Sequence, residues 1–247
     1  MSRSTISLFN TNFVGLSNKK AELIQHLNNL HKSLKSLTQD EALGLQKFLK
    51  TSTAPQLLSH KILSHSDKDV KLLSCCCIVD VLRLMAPENP YNNDDTITAF
   101  NAVVNQLRGI ATYAPVSDIL GSHVYYILNN IATVQSCVVP VMLAMDGVYG
   151  ADEVAEALFS TILSSVRADH PPEVLARSLE VLQACIVESE GKNEELLEQL
   201  LLPLLPHNKT DNIAAYQVAA TVLRDAWSTL EGPVSSILNQ ILVGTSR

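Results

Sequence analysis

Glycine and proline are scarce in this 247-residue chain: nine and ten residues, about 8% together, against roughly 12% in average usage. Barrels and sandwiches spend both on their many tight turns, so the shortage argues against an all-β architecture. Aromatic residues are also few, at 5%, while Leu, Ala and Ser are abundant, a mixture that favours helix. No apolar run approaches the ~18 residues a membrane helix needs. The longest, Cys137–Met145, is interrupted by Pro140. The first fifteen residues lack the apolar core of a secretory signal and the arginines of a transit peptide. A soluble intracellular protein is expected.

Chemistry-bearing motifs are missing too. There is no Gly-rich phosphate loop, no G-x-S-x-G elbow and no H-E-x-x-H. Cys75, Cys76 and Cys77 are consecutive, and Cys137 and Cys185 stand alone. Zinc needs ligands converging on one centre, whereas neighbouring helical residues diverge by ~100°. The odd count, with no framework spacing, argues against a disulfide scaffold. The cysteines therefore read as small buried hydrophobes. A couple between His65 and the triple cysteine is conceivable, but burial would leave the thiols inert. His26 with His31, and His60 with His65, are rotated by ~140° on a helix and read as surface residues. The acidic pairs Asp94–Asp95, Asp152–Glu153 and Glu194–Glu195 begin helices, where the macrodipole accounts for them. No enzyme, cofactor or metal site is expected.

What is present is helical periodicity. Leu23, Ile24, Leu27, Leu30 and Leu34 form an i, i+3, i+4 stripe over 19–37. Further helices are expected over 40–50, 55–63, 67–85, 94–111, 117–134, 140–148, 151–166, 171–188, 193–204, 210–230 and 233–243. These make about twelve, separated by short breaks. Acidic-then-valine helix openings at Lys68–Val70 and Pro172–Val174, and a similar start at Asp211–Ile213, suggest repetition; Val174 to Ile213 is 39 residues. The fold expected is all-α, an α-solenoid of HEAT-like helical pairs. Residues 1–18 are expected as a flexible arm and 19–247 as one repeat domain.

The helix over 67–85 should lie at the core, being apolar or cysteine from Leu72 to Met85 except at Ser74, Asp80 and Arg83. Asp80 and Arg83, spaced i, i+3, can pair along its one wet edge. The helix ends at Ala86–Pro87, because the residue before proline leaves the α region. Pro87 and Pro90 then stiffen the loop Ala86-Pro87-Glu88-Asn89-Pro90-Tyr91. Either Tyr91 offers an interface face, with Glu88, Asp94 and Asp95 receiving a partner's cations, or the loop is a rigid turn with Tyr91 packed down. Charge is uneven. Residues 1–71 hold ten Lys/Arg and five Asp/Glu, whereas 72–247 hold eight and twenty. Such a body repels a phosphate backbone and attracts basic segments, unless this is simply a solvated acidic surface.

The stretch Lys68–Tyr91, KDVKLLSCCCIVDVLRLMAPENPY, closely resembles a signature of the cohesin-associated sister-chromatid cohesion regulators, the "precocious dissociation of sisters" HEAT-repeat family. That signature has a K-D-V start, paired cysteines, Asp-x-x-Arg and A-P-[ED]-A-P-Y. Asn89 stands where the family usually has alanine, and Met85 where a larger residue is commoner. Phe100–Gly109, Val124–Val134, Leu200–His207 and Ile237–Leu242 are also similar, so the likeness runs over about 20–243. The resemblance implies the N-terminal portion of a longer non-catalytic scaffold that is nuclear, chromosome-associated and monomeric. Its implied partners are the kleisin subunit of cohesin, through the full-length protein, and release or acetylation factors. It implies that Ala86, Pro87, Glu88, Asn89, Pro90 and Tyr91 dock short basic Tyr-Ser-Arg motifs such as those of the wings-apart-like release factor. No membrane or sequence-specific nucleic-acid contact is implied. An apolar end near Ile237, Leu238, Ile241 and Leu242 is expected. The alternative is a generic helical-repeat adaptor or transport scaffold holding an extended partner on its concave face.

Overall fold

Apolar stripes set the helices, and side chains of Asp67, Asn92, Ser122, Asn193 and Asn212 cap the starts of five of them. The computed structural model describes residues 8–244, and among these there is no strand. The main helices are α1 (Lys20–Ser36), α2 (Lys68–Met85), α3 (Asn93–Leu107), α4 (His123–Thr133), α5 (Val139–Met145), α6 (Ala151–Ser165), α7 (Pro172–Glu188), α8 (Glu194–Leu201), α9 (Ile213–Asp225) and α10 (Trp227–Gly244). The described residues fall into two compact units. One runs through Gly109 and adds Gly121–Ser136; the other holds Ile110–Leu120 and the chain from Cys137 onward.

In the first unit α2 is the centre. All residues from Leu73 to Met85 are buried except Arg83. Asp67 caps its start, accepting from the amides of Asp69 (2.9 Å) and Val70 (3.4 Å), and its carboxylate also pairs with Lys20. Hydrogen bonds between α1 and α2 advance together along both helices. Cys77 Sγ lies 3.8 Å from the Leu27 carbonyl, His31 meets Asp80, and Arg83 meets Leu34 and Leu37. The two helices are therefore parallel neighbours. On the other flank, Cys76 meets the His123 carbonyl while Asp80 meets Tyr126 and Asn130, so α4 runs parallel as well. Each of these contacts joins residues 46 to 50 apart in sequence. The repeat is longer than the 39-residue interval between Val174 and Ile213. α3 packs on both α2 and α4.

The helices expected over 40–50 and 55–63 are a succession of short turns, with π geometry over Leu49–Thr53. Pro55 has no N–H to return to the preceding turn, and the Thr51 hydroxyl bonds the Lys47 carbonyl at 2.7 Å. Part of the expected flexible arm is packed instead. Phe9 and Phe13 are buried, Thr53 Oγ1 donates to the Phe9 carbonyl (3.1 Å), and the Gln56 amide accepts from Phe13 N (2.9 Å) and donates to Thr11 O (3.2 Å). Elsewhere, the expected helix over 94–111 breaks at Arg108, and the one over 117–134 begins as a 3-10 turn, Val116–Gly121.

In the second unit, Cys185 Sγ lies 3.5 Å from the Cys137 carbonyl, and Asn212 Nδ2 donates to Val166 O at 3.0 Å. The break expected between Leu230 and Pro233 is absent, and α10 passes through Pro233. Gly232, with no Cβ, relieves the clash a proline imposes on its predecessor. Ile237 is half-buried; the side chains of Leu238, Ile241 and Leu242 lie outside the described residues. Gly191 adopts φ +66°, and a Cβ there would stand 2.7 Å from Pro233 Cγ and 3.2 Å from Leu230 Cδ2. Gly147 has φ +73° with nothing within 4 Å. Gly147→Ala should therefore cost only the ~1–2 kcal/mol of left-handed backbone. Gly191→Ala should cost about 1–3 kcal/mol more from overpacking. Urea denaturation of both variants, followed by Trp227 fluorescence, checks the difference.

Candidate functional site

The loop after α2 is built by local bonding. The Ala86 N–H returns to Leu82 O (3.0 Å) and Glu88 N to Met85 O (2.9 Å), closing the turn. Gln39, from the turns after α1, donates its side-chain amide to the carbonyls of Arg83 (2.9 Å) and Ala86 (3.2 Å). Asn89 works on both sides: its Nδ2 donates to Thr96 Oγ1 (2.8 Å), and its Oδ1 accepts from Tyr91 N (3.1 Å). Thr96 in turn donates to Asn92 O (2.7 Å), and Asn92 caps α3 through the Asp95 amide (2.8 Å).

Burial divides the six residues. Pro87, Glu88 and Asn89 are exposed, Ala86 is half-buried, and Pro90 and Tyr91 are buried. Tyr91 is only 7% exposed, so the packed-down alternative holds and its ring offers no face to a partner. Its hydroxyl is shielded and finds no hydrogen-bond partner among the described residues. Burial pushes that phenol well above its ordinary range, helped by nearby Cys77 and Cys75. What the loop presents is a tip of Pro87, Glu88 and Asn89, with the exposed Asp94 two residues past Asn92.

Asp80 and Arg83 correct the expectation of a wet edge. Asp80 is fully buried because neighbours cover α2 on both flanks. Its carboxylate accepts from Tyr126 Oη (2.5 Å), His31 Nδ1 (2.9 Å), Asn130 Nδ2 (3.4 Å) and the Arg83 guanidinium (3.5 Å). A carboxylate can only accept, so His31 carries its proton on Nδ1. Burial, then the Asp80 charge and the hydrogen bond to it, push the Tyr126 phenol up and keep it a donor. Arg83 spans to α1, donating to the carbonyls of Leu34 (2.8 Å) and Leu37 (3.0 Å). The His31 ring lies edge-on to Tyr126, with centroids 4.7 Å apart, and Lys35 Nζ sits 4.7 Å from the Tyr126 centroid. One charged side chain thus joins three helices.

Three of the four histidines read as surface residues depart from that reading, whereas His60 is exposed. His31 is buried, and His26 is half-buried and stacked on Phe13. His65 accepts from Asp67 N (3.0 Å) through Nδ1 and faces Ser17 O (3.3 Å) through Nε2, so it serves the chain before α2 and not the cysteines. All five cysteines are buried. Burial pushes the Cys75 thiol up to about 12 and raises those of Cys76 and Cys77. Such thiols are poor nucleophiles.

Sequence reasoning missed Gln39, Thr96, His31, Tyr126 and Asn130. The one available signal was Tyr126 and Asn130 at i, i+4 in an apolar run, a polar pair on one face of a helix.

The family model described as sister chromatid cohesion protein PDS5 matches residues 21–247. The human sister chromatid cohesion protein PDS5 homolog A is 30% identical over 224 residues, which is 90% of this chain and 16% of that protein. The zebrafish homolog A is 33% identical over 192 residues, 77% of this chain and 14% of that protein. The chain therefore spans about a sixth of the length of these curated relatives. A chain from a solved structure of the Pds5-Scc1 complex superposes with a TM-score of 0.70 at 22% identity, covering 89% of this chain and 32% of that one. That likeness carries the fold, an α-solenoid of HEAT-like helix pairs. With the family match over nearly its whole length, this chain belongs to the PDS5 family of sister chromatid cohesion proteins.

Proposed function

We propose that the chain is a non-catalytic scaffold segment that regulates cohesin in sister chromatid cohesion on nuclear chromosomes, and that the loop 86–91 receives short basic motifs. The observation that carries the reading is the exposed Pro87–Glu88–Asn89 tip on a backbone already fixed by Gln39, Thr96 and the buried Tyr91. A receptor loop ordered before binding loses little entropy on contact. Glu88 offers a carboxylate to a Lys or Arg, and Asp94 adds charge of the same sign nearby in sequence. The buried Pro90 and Tyr91 act from below, holding the tip in shape.

The partner class follows from charge and from family. A basic Tyr-Ser-Arg motif of a release or acetylation factor would meet the acidic tip. The kleisin subunit is the larger partner of the whole protein, in keeping with the Scc1 complex of the structural neighbour. The test is titration of a Tyr-Ser-Arg peptide. Glu88→Lys is expected to weaken it by about 1–3 kcal/mol, as loss of a charge-assisted contact does. Unchanged affinity would remove the loop from the site. Loss of binding on substituting inner helix faces instead would favour an adaptor that holds an extended partner.

A further inference from the structure

The second unit contains a cavity of about 320 Å³ where the short helix α8 ends and the chain turns through Leu202–Leu204 toward α9. That is about twice the volume known to accept benzene in an engineered core. Its walls are mainly apolar, from Leu163, Leu202, Pro203 and Ala215. Leu202 is 52% exposed at the rim, so a ligand can enter from solvent.

The polar atoms in the lining are skewed toward acceptors. The hydroxyls of Ser160 and Ser164 donate back to their own helix, to Ala157 O and Thr161 O, which leaves their oxygens free to accept. The Asn208 amide donates to Leu202 O (2.8 Å) and the Asn212 amide to Val166 O (3.0 Å). Asp211 is the one charged residue in the lining. The adjacent cation, Lys209, lies 4.6 Å from the Tyr216 ring centroid. An apolar cleft edged by acceptors and a carboxylate fits a ligand that brings an apolar group together with donors and positive charge.

We infer that this cavity is a second docking site, separate from the 86–91 loop, for a segment that inserts one aromatic or large aliphatic side chain flanked by Lys or Arg. The anchor fills the space between Leu163, Pro203 and Ala215. The ligand's N–H groups meet the oxygens of Ser160 and Ser164, and the flanking cation sits at Asp211.

The test uses three blocked peptides, Arg-Phe-Arg, Glu-Phe-Glu and Arg-Ala-Arg, titrated into the isotope-labelled chain by NMR. Arg-Phe-Arg is expected to bind at about millimolar Kd, as one anchored side chain does, and to shift the amides of Leu163, Gln199 and Ala215. The two controls are expected to bind at least about fivefold more weakly. Ala215→Leu, which fills the cavity, should weaken Arg-Phe-Arg at least about tenfold. Asp211→Asn should weaken it about threefold, the scale of an exposed ion pair. Leu202→Ser, at an exposed position that folding tolerates, should also weaken it and keeps the test open if Ala215→Leu folds poorly. Shifts located elsewhere or absent, equal binding of Glu-Phe-Glu, or affinity unchanged in both Leu202→Ser and Ala215→Leu would overturn the site.

Discussion

Asp80→Ala is expected to destabilise the first unit by about 3–5 kcal/mol, the cost of removing one partner from a buried ion pair. The figure rests on what would be stranded. Four donors, on Tyr126, His31, Asn130 and Arg83, converge on one fully buried carboxylate, and each buried donor left unpaired costs about 1–3 kcal/mol. Arg83 would keep its bonds to Leu34 O and Leu37 O, which limits the damage on that side. Asp80→Asn, nearly the same shape, should recover only part of the loss, because an amide turns one acceptor into a donor facing donors. The sole tryptophan, Trp227, reports on the second unit, so the measurement is amide hydrogen exchange resolved by segment. Protection should fall in α1, α2 and α4 together. Loss confined to α2 would mean that the carboxylate does not join the three helices.

Tyr91→Ala should also be severe, about 3–5 kcal/mol for truncating a buried aromatic side chain, and it should abolish peptide binding at the loop by freeing the tip. Tyr91→Phe should be neutral or mildly stabilising, because the shielded hydroxyl has no partner to lose. It should leave binding intact. Thermal denaturation and the peptide titration, run side by side on both variants, separate the roles. If Tyr91→Phe weakened binding as much as Tyr91→Ala, the hydroxyl would be touching the ligand and the ring would have to leave its buried position.

Much of the fold was readable from local patterns. The first-turn carboxylates Asp94–Asp95, Asp152–Glu153 and Glu194–Glu195 and the buried cysteine run depend only on near neighbours in the chain, and they stand where the sequence put them. Asp80 pairs with Arg83 as its spacing suggests, but its exposure was misjudged for the opposite reason. An i, i+3 spacing says that two side chains are adjacent, not which of them a helix 46 to 50 residues away will cover. His31 failed in the same way. The repeat interval was underestimated because helix openings such as Val174 and Ile213 vary with turn length, whereas the pairing register appears only when the helices are laid side by side. Pro233 was taken as the first residue of a new helix, whereas the helix that begins at Trp227 runs through it. Tyr91 was undecided because a proline-flanked aromatic suits a hot spot and a wedge equally.

The parallel pairing of α1, α2 and α4 makes the chain unequally tolerant of changes in length. One residue added between Cys77 and Asp80 would swing the carboxylate through ~100° and detach it from His31, Tyr126 and Asn130, with Arg83 turning alongside it, whereas extra residues in the turns between helices would lengthen a bend and leave the alignment alone. Evolutionary drift in size, and any engineered tag or domain graft, should therefore be accommodated at the bends and rejected inside the rods.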